Sequence, residues 1–211
     1  MRLFEEVQAK TRDLTEALTH QTATSEVLQF ISSSPAELDP IFEAMLVNAT
    51  RLCEARYGVM WLREGDAFRS AAIHGALPPA YIEQWRSGAL VYPTPHSPLA
   101  LVMQTRKAVQ VPDMRQSRSY LDGDPLPVAA VDLAGIRTLL LVPMFKEDDL
   151  IGAIVIYRQE VRPFVEKQVN LVTNFAKQAV IAIENARLLK ELRQRTDDLS
   201  QSLEQRRHRK I

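Results

Sequence analysis

Apolar positions Leu3, Val7, Leu14, Leu18, Leu28 and Ile31 step along the first 34 residues by threes, fours and their sums, with no proline or glycine among them. The spacing predicts a long helix with a narrow apolar stripe. "SSSPAELDP" breaks that helix and caps another, "IFEAMLVNATRLCEA", whose apolar residues at 41, 42, 45, 46, 49, 52 and 53 form a face wide enough to pack on a sheet. In "YGVMWLREGDAFRSAAIHG" two short runs around Glu64 to Asp66 predict a hairpin. Eight prolines between Leu77 and Val128 then mark a loop-rich middle. Within it lie short helical patterns at "PAYIEQWRSG", "SPLALVMQTRK" and "LPVAAVDLAG" and a brief strand at "AVQVPD". A second hairpin is predicted in "IRTLLLVPMFKEDDLIGAIVIYR", where two β-branched apolar runs flank the polar turn "KEDD".

Pro163 is placed for the first turn of a last helix, and the 48 residues after it contain neither proline nor glycine. At about 1.5 Å per residue such a helix reaches about 70 Å and leaves the globule. Its first half, "VNLVTNFAKQAVIAIENARLL", is broadly apolar, whereas "KELRQRTDDLSQSLEQ" keeps only Leu192, Leu199 and Leu203 on a thin seam. Domain packing therefore gives way to helix pairing near Leu188. The phrase from Leu188, "LLKELRQRTDDLSQSLEQR", repeats the phrase from Leu3, "LFEEVQAKTRDLTEALTHQ", at a constant offset. Leu3, Leu14 and Leu18 meet Leu188, Leu199 and Leu203, Val7 meets Leu192, and Lys10 meets Arg195. Either one linker helix recurs once per unit of an array, or two coiled-coil segments are alike by composition. Both seams predict a parallel homodimer in which the basic residues restrict register. The chain divides into residues 1–34, a domain over 38–189 and an extension over 190–211.

Composition changes this picture little. The 211 residues are 46% hydrophobic and 25% charged, as expected of a globular chain. Lysine plus arginine balances aspartate plus glutamate at 26 each, so there is no global field to gather nucleic acid or anionic lipid. The basic cluster Arg206 to Lys210 reads as a solvated helix end. Cys53 is the only cysteine, which excludes an intramolecular disulfide or a cysteine-cluster metal site and suits a reducing cytoplasm. The apolar runs are too short for membrane insertion.

The segment "TLLLVPMFKEDDLIGAIVIYRQEVRPFVEKQVNLVTNFAKQAVIAIENARL" resembles a GAF domain. It has a strand ending in Val142-Pro143, the run L-I-G-x-I-x-I from Leu150, and Phe164 opening a helix that ends A-I-E-N-A-R-L. "TATSEVLQFISSSPAELDPIFEAMLVNATRLCEARYGVMW" is similar to the approach to such domains in bacterial sensor histidine kinases and nucleotide cyclases, where several stand in tandem. The resemblance covers roughly Leu38 to Leu189. It implies an α+β fold of the GAF/PAS type: an antiparallel sheet of about six strands flanked by helices, here with long terminal coiled-coil helices. The implied role is sensory, with a downstream kinase or cyclase output as partner.

Phosphate-loop, elbow-serine, zinc-protease and dithiol motifs are absent, so no catalytic residue and no metal site is assigned. His20 lacks the acidic neighbour and downstream proline of a phosphoacceptor and reads as a surface helix residue. Covalent bilin attachment is not expected, because no Cys-His pair is present and Cys53 falls on an apolar helix face. Free methionine sulfoxide reductases share the implied fold but depend on cooperating cysteines. Against the N-K…F-x-x-x-D-E pattern of cyclic-nucleotide-binding members, Tyr157 and Arg158 stand for N-K, Phe164 matches, and Gln168 with Val169 replaces D-E. Cyclic nucleotide binding is therefore not expected. His74 and His96 are candidates for haem ligation or small-molecule contact, against ordinary loop or core roles. Trp61, Trp85 and Tyr120 are candidates to line the same cavity, against plain core packing. The expected function is a non-catalytic sensory and relay module with an unidentified ligand, the alternative being a ligand-free dimerising spacer. A third reading, an enzyme acting in the pocket, would need convergent acid, base or nucleophile residues that the sequence does not identify.

Overall fold

A computed structural model of the chain describes residues 38–86 and 88–208, the side chains of 84–86 and 199–208 excepted. The predicted first helix, with Leu3, Val7, Leu14, Leu18 and His20, lies outside the described residues. The broad apolar face after "SSSP" becomes helix α1 (Asp39–Leu52), with proline in its first turn and Ile41, Phe42, Met45, Leu46 and Ala49 buried. The first hairpin is β1 (Tyr57–Glu64) and β2 (Ala67–His74). The proline-rich middle supplies α2 (Pro79–Arg86), α3 (Pro98–Thr105), β3 (Val109–Val111), a 3-10 turn (Met114–Gln116), α4 (Arg118–Leu121) and α5 (Pro125–Asp132). The second hairpin, β4 (Thr138–Lys146) and β5 (Asp149–Arg158), precedes the long helix α6 (Glu166–His208).

All strand pairings are antiparallel, in the order β2-β1-β5-β4-β3. The described sheet thus has five strands where about six were expected. At the sixth place, beside β2, Val91 makes a single bridge with Phe68. Pro93 and Pro95 follow immediately, and a proline has no N–H with which to extend a ladder.

Alternation along the strands divides the core. Met60, Leu140, Val142, Met144, Ile154 and Ile156 face α1 and α6. Their odd-numbered neighbours Val59, Trp61, Leu139, Leu141, Val155 and Tyr157 face the helices and loops of the middle segment. Both sheet faces are therefore covered, and β4 and β5 read as continuous apolar runs.

Pro163 does not open the last helix, which starts three residues later, at Glu166. The reason lies at the end of β5. The buried guanidinium of Arg158 donates to the carbonyls of Arg162 (2.5 Å), Pro163 (3.1 Å) and Cys53 (2.6 Å) and to Oε1 of Gln168 (3.2 Å), above the Phe164 ring. These bonds engage the carbonyls of Arg162 and Pro163, and residues 162–165 stay outside the helix. Gln168 also accepts the N–H of Val165 at 3.2 Å, which is the reciprocal half of a capping box, so the helix nucleates there. Its 43 residues span about 64 Å at 1.5 Å per residue. Among its described side chains Ala182 is the last buried apolar one, while Leu188 and Leu192 are 48% and 59% exposed.

Arg158→Leu should lower stability to urea by about 2–4 kcal/mol, since the buried carbonyl of Cys53 and the part-buried bonds to Arg162 and Pro163 lose their charged donor. Hydrogen exchange should accelerate first at the C-terminus of α1 and the first turn of α6. Uniform acceleration across the domain would contradict a local clamp.

Candidate functional site

Register places the first site residues together. β1 and β5 pair with Trp61 opposite Ala153, Val59 opposite Val155 and Tyr57 opposite Tyr157, so Trp61, Val155 and Tyr157 share one face. Leu139 and Leu141 continue that face on β4. Gly152 permits the close approach of β5 to β1, because a Cβ there would stand 2.2 Å from the carbonyl oxygen of Trp61.

The opposite wall comes from short capped helices. Ser97 accepts the N–H of Ala100 at 3.3 Å and starts α3, while Asp124 caps α5 through the N–H of Leu126 and bonds the Thr94 hydroxyl. A two-pronged pair between Arg137 and Asp113, at 2.9 and 2.8 Å, ties the 3-10 turn to β4. The hydrogen bonds from Arg137 hold the Asp113 carboxyl below its ordinary range.

Between the two walls is a cavity of about 40 Å³, lined by Trp61 and Tyr157 from the sheet and by Tyr81, Leu99, Met114 and Ala130 from the middle segment, among others. Its polar groups are few. The Trp61 indole hydrogen-bonds to the Tyr157 hydroxyl. Burial raises the pKa of Tyr157 well above the usual phenol value, the neighbouring Tyr81 adds to the shift, and the Trp61 bond opposes it. Burial likewise raises Tyr81. Both phenols therefore remain protonated at physiological pH. No Asp, Glu, Lys, Arg or His lines the cavity among the described residues.

Of the residues expected at such a cavity, Trp61 lines it. Tyr120 is half-buried against the same apolar cluster, but its hydroxyl bonds Asp132 at 3.2 Å and it is not in the wall. His96 is exposed and borders a separate open groove beside β3, together with Gln110, Asp113 and Arg118. His74, half-buried at the end of β2, borders neither space. The Trp85 side chain lies outside the described residues. Tyr81, Tyr157 and Ala130 were missed in the sequence. Parity with Trp61 across the β1–β5 pair was the available signal for Tyr157, whereas Tyr81 and Ala130 arrive from helices whose placement no local pattern encodes.

Cys53 lies in the cluster on the other side of the sheet, separated from the cavity by β1, β4 and β5. Burial pushes its pKa up to about 12 against a smaller opposing influence of Arg158. Among the described residues, no group of three or more His, Cys, Asp or Glu is placed to hold a metal ion. No described helix is long and apolar enough to cross a membrane.

The family model described as "GAF domain" matches residues 37–183. No curated protein sequence matches the chain. The GAF domain of a phosphoenolpyruvate-protein phosphotransferase from Coxiella burnetii superposes with a TM-score of 0.67 at 16% identity, over 83% of this chain and 98% of that one. A domain of a putative two-component sensor histidine kinase from Sinorhizobium meliloti gives 0.58 at 18%, over 74% and 96%. The free methionine-R-sulfoxide reductase of Neisseria meningitidis gives 0.62 at 15%, over 83% and 93%. At these identities the likeness is one of fold, which is shared by regulatory domains and by an enzyme alike.

Iodoacetamide at pH 8 should leave Cys53 of the native protein unmodified and label it fully in denaturant, a difference in rate of at least about a hundredfold. Rapid labelling of the folded chain would show a thiol far more accessible than this packing allows.

Proposed function

The chain belongs to the GAF domain family, and from that premise we propose that it is a non-catalytic sensory module that binds a small molecule in the Trp61–Tyr157 cavity and relays its occupancy through a parallel homodimer. The output is a kinase or cyclase domain that lies beyond these residues. One observation carries the reading: a single helix, α6, packs on the sheet at Val172, Phe175 and Ala179 and runs on to the half-exposed Leu188 and Leu192. Only the thickness of the sheet separates it from the cavity. Leu141 and Val155 face the cavity, and their neighbours Leu140, Ile154 and Ile156 face the cluster containing α6. A ligand that shifts the strands therefore acts on the helix that leaves the domain.

Leu188, Leu192, Arg195 and Leu199 step by four, three and four, a heptad spacing that Leu203 extends by a further four, and an apolar stripe of such a period is buried by pairing with its own copy. Arg195 at the seam keeps such pairing marginal, which suits a switch that differential ligand binding can bias. The absence of a motif for acid, base or nucleophile work separates this reading from the reductase that shares the fold. A ligand-free dimerising spacer is the second reading, favoured by the small size of the cavity, about 40 Å³. In that case the same helix transmits twist from a neighbouring domain without a chemical input.

The test is to fuse the chain in phase to a dimeric histidine kinase output and delete either Arg193 to Leu199 or only Arg193 to Gln194. Loss of a whole heptad returns the seam to nearly the same face, so regulated output should persist. Loss of two residues rotates the downstream helix by about 200° and should lock or abolish output. Equal behaviour of the two deletions would reduce α6 to a passive tether.

A further inference from the structure

The cavity wall restricts the chemistry of what can enter. Along with the indole and the two phenols of Trp61, Tyr81 and Tyr157, the one other polar side chain of the described lining is Ser97, whose hydroxyl already donates to the carbonyl of Thr94 and accepts the N–H of Ala100. The rest is apolar, from residues such as Leu99, Leu141 and Ala130. Both phenols stay protonated, so neither supplies charge. The buried cation nearest in sequence to this wall, Arg158, points to the other side of the sheet, where it is engaged by the carbonyl of Cys53 and by Gln168. An anionic or cationic ligand would thus leave water without a counter-charge in the wall, at a cost that excludes it. An apolar ligand bearing one hydroxyl or carbonyl loses little, because a protonated phenol both donates and accepts a hydrogen bond.

Resting on the reading of this cavity as the sensory site, we propose that its ligand is a small, uncharged, largely apolar molecule with a single hydrogen-bonding group, received by the Tyr81–Tyr157 pair. Size points the same way: about 40 Å³ accommodates a ligand of a few heavy atoms before the α3–α5 wall has to move. This class excludes phosphorylated and carboxylated effectors, whatever their shape.

Three probes with one carbon skeleton separate charge from fit: isobutanol, isobutyrate and isobutylammonium at neutral pH. They are titrated into the full chain while the methyl resonances of Ala130, Leu141 and Val155 are followed by NMR. Isobutanol should shift these resonances saturably, with a dissociation constant on the order of millimolar for so small a ligand, and the two ions should leave them unmoved. Tyr81→Phe should weaken isobutanol about fivefold, as the loss of one neutral hydrogen bond does, and Ala130→Leu should abolish its binding by filling the space. The comparison among probes in the unsubstituted chain stands even if Ala130→Leu fails to fold. Saturable shifts by either ion, with none by the alcohol, would overturn the proposed class while leaving the cavity a binding site. An unchanged affinity in Tyr81→Phe would overturn the assigned polar contact. Silence of all three probes would remove the sensory reading of the cavity together with the ligand class, and favour the ligand-free spacer.

Discussion

Burial of the central strands on both faces is the constraint from which the rest of this structure follows. β1, β5 and β4 each send successive side chains into two different cores, one under α1 and α6 and one under the middle segment. A strand in that position cannot slip by one residue without exchanging its entire apolar sets, so the register is fixed at the same time as the burial. Cavity and exit helix are thereby placed back to back. The sheet is also the shortest mechanical connection between them, because Leu140 and Leu141, adjacent in the chain, belong to different sides.

The end of β5 secures the second half of the arrangement. Among the described residues no carboxylate stands in ion-pair contact with the buried Arg158, and neutral acceptors take its place: three main-chain carbonyls and the amide of Gln168. Burial pulls the pKa of Arg158 down, with the neighbouring Arg162 acting in the same sense, but a guanidinium stays charged across the physiological range. The charge draws the C-terminus of α1 and the approach to α6 to one point. Gln168 fits this role because its amide accepts from Arg158 and Val165 while donating to Cys53. An acidic residue there could accept but not donate. Where α6 starts depends on this set of polar contacts.

What the sequence by itself determined is what nearest neighbours and periodicity can encode. The two hairpins, the wide face of α1, the short helices between the prolines and the long proline-free helix were all legible, because alternation by two or by about three and a half reports which faces are buried. Among the described side chains of α6, the burial of Val172, Phe175 and Ala179 follows the broad apolar face read in the sequence, and Leu188 and Leu192 beyond it are about half exposed. The tertiary structure alone decided which residues meet. It reduced the expected sixth strand to one bridge at Val91, moved the start of α6 past Pro163, and put Cys53 on the far side of the sheet from the cavity. It brought Tyr81 to Tyr157 and left His74 and His96 away from them. These outcomes depend on contacts between segments far apart in the chain, such as Arg158 with Cys53, and a local pattern carries no record of such partners.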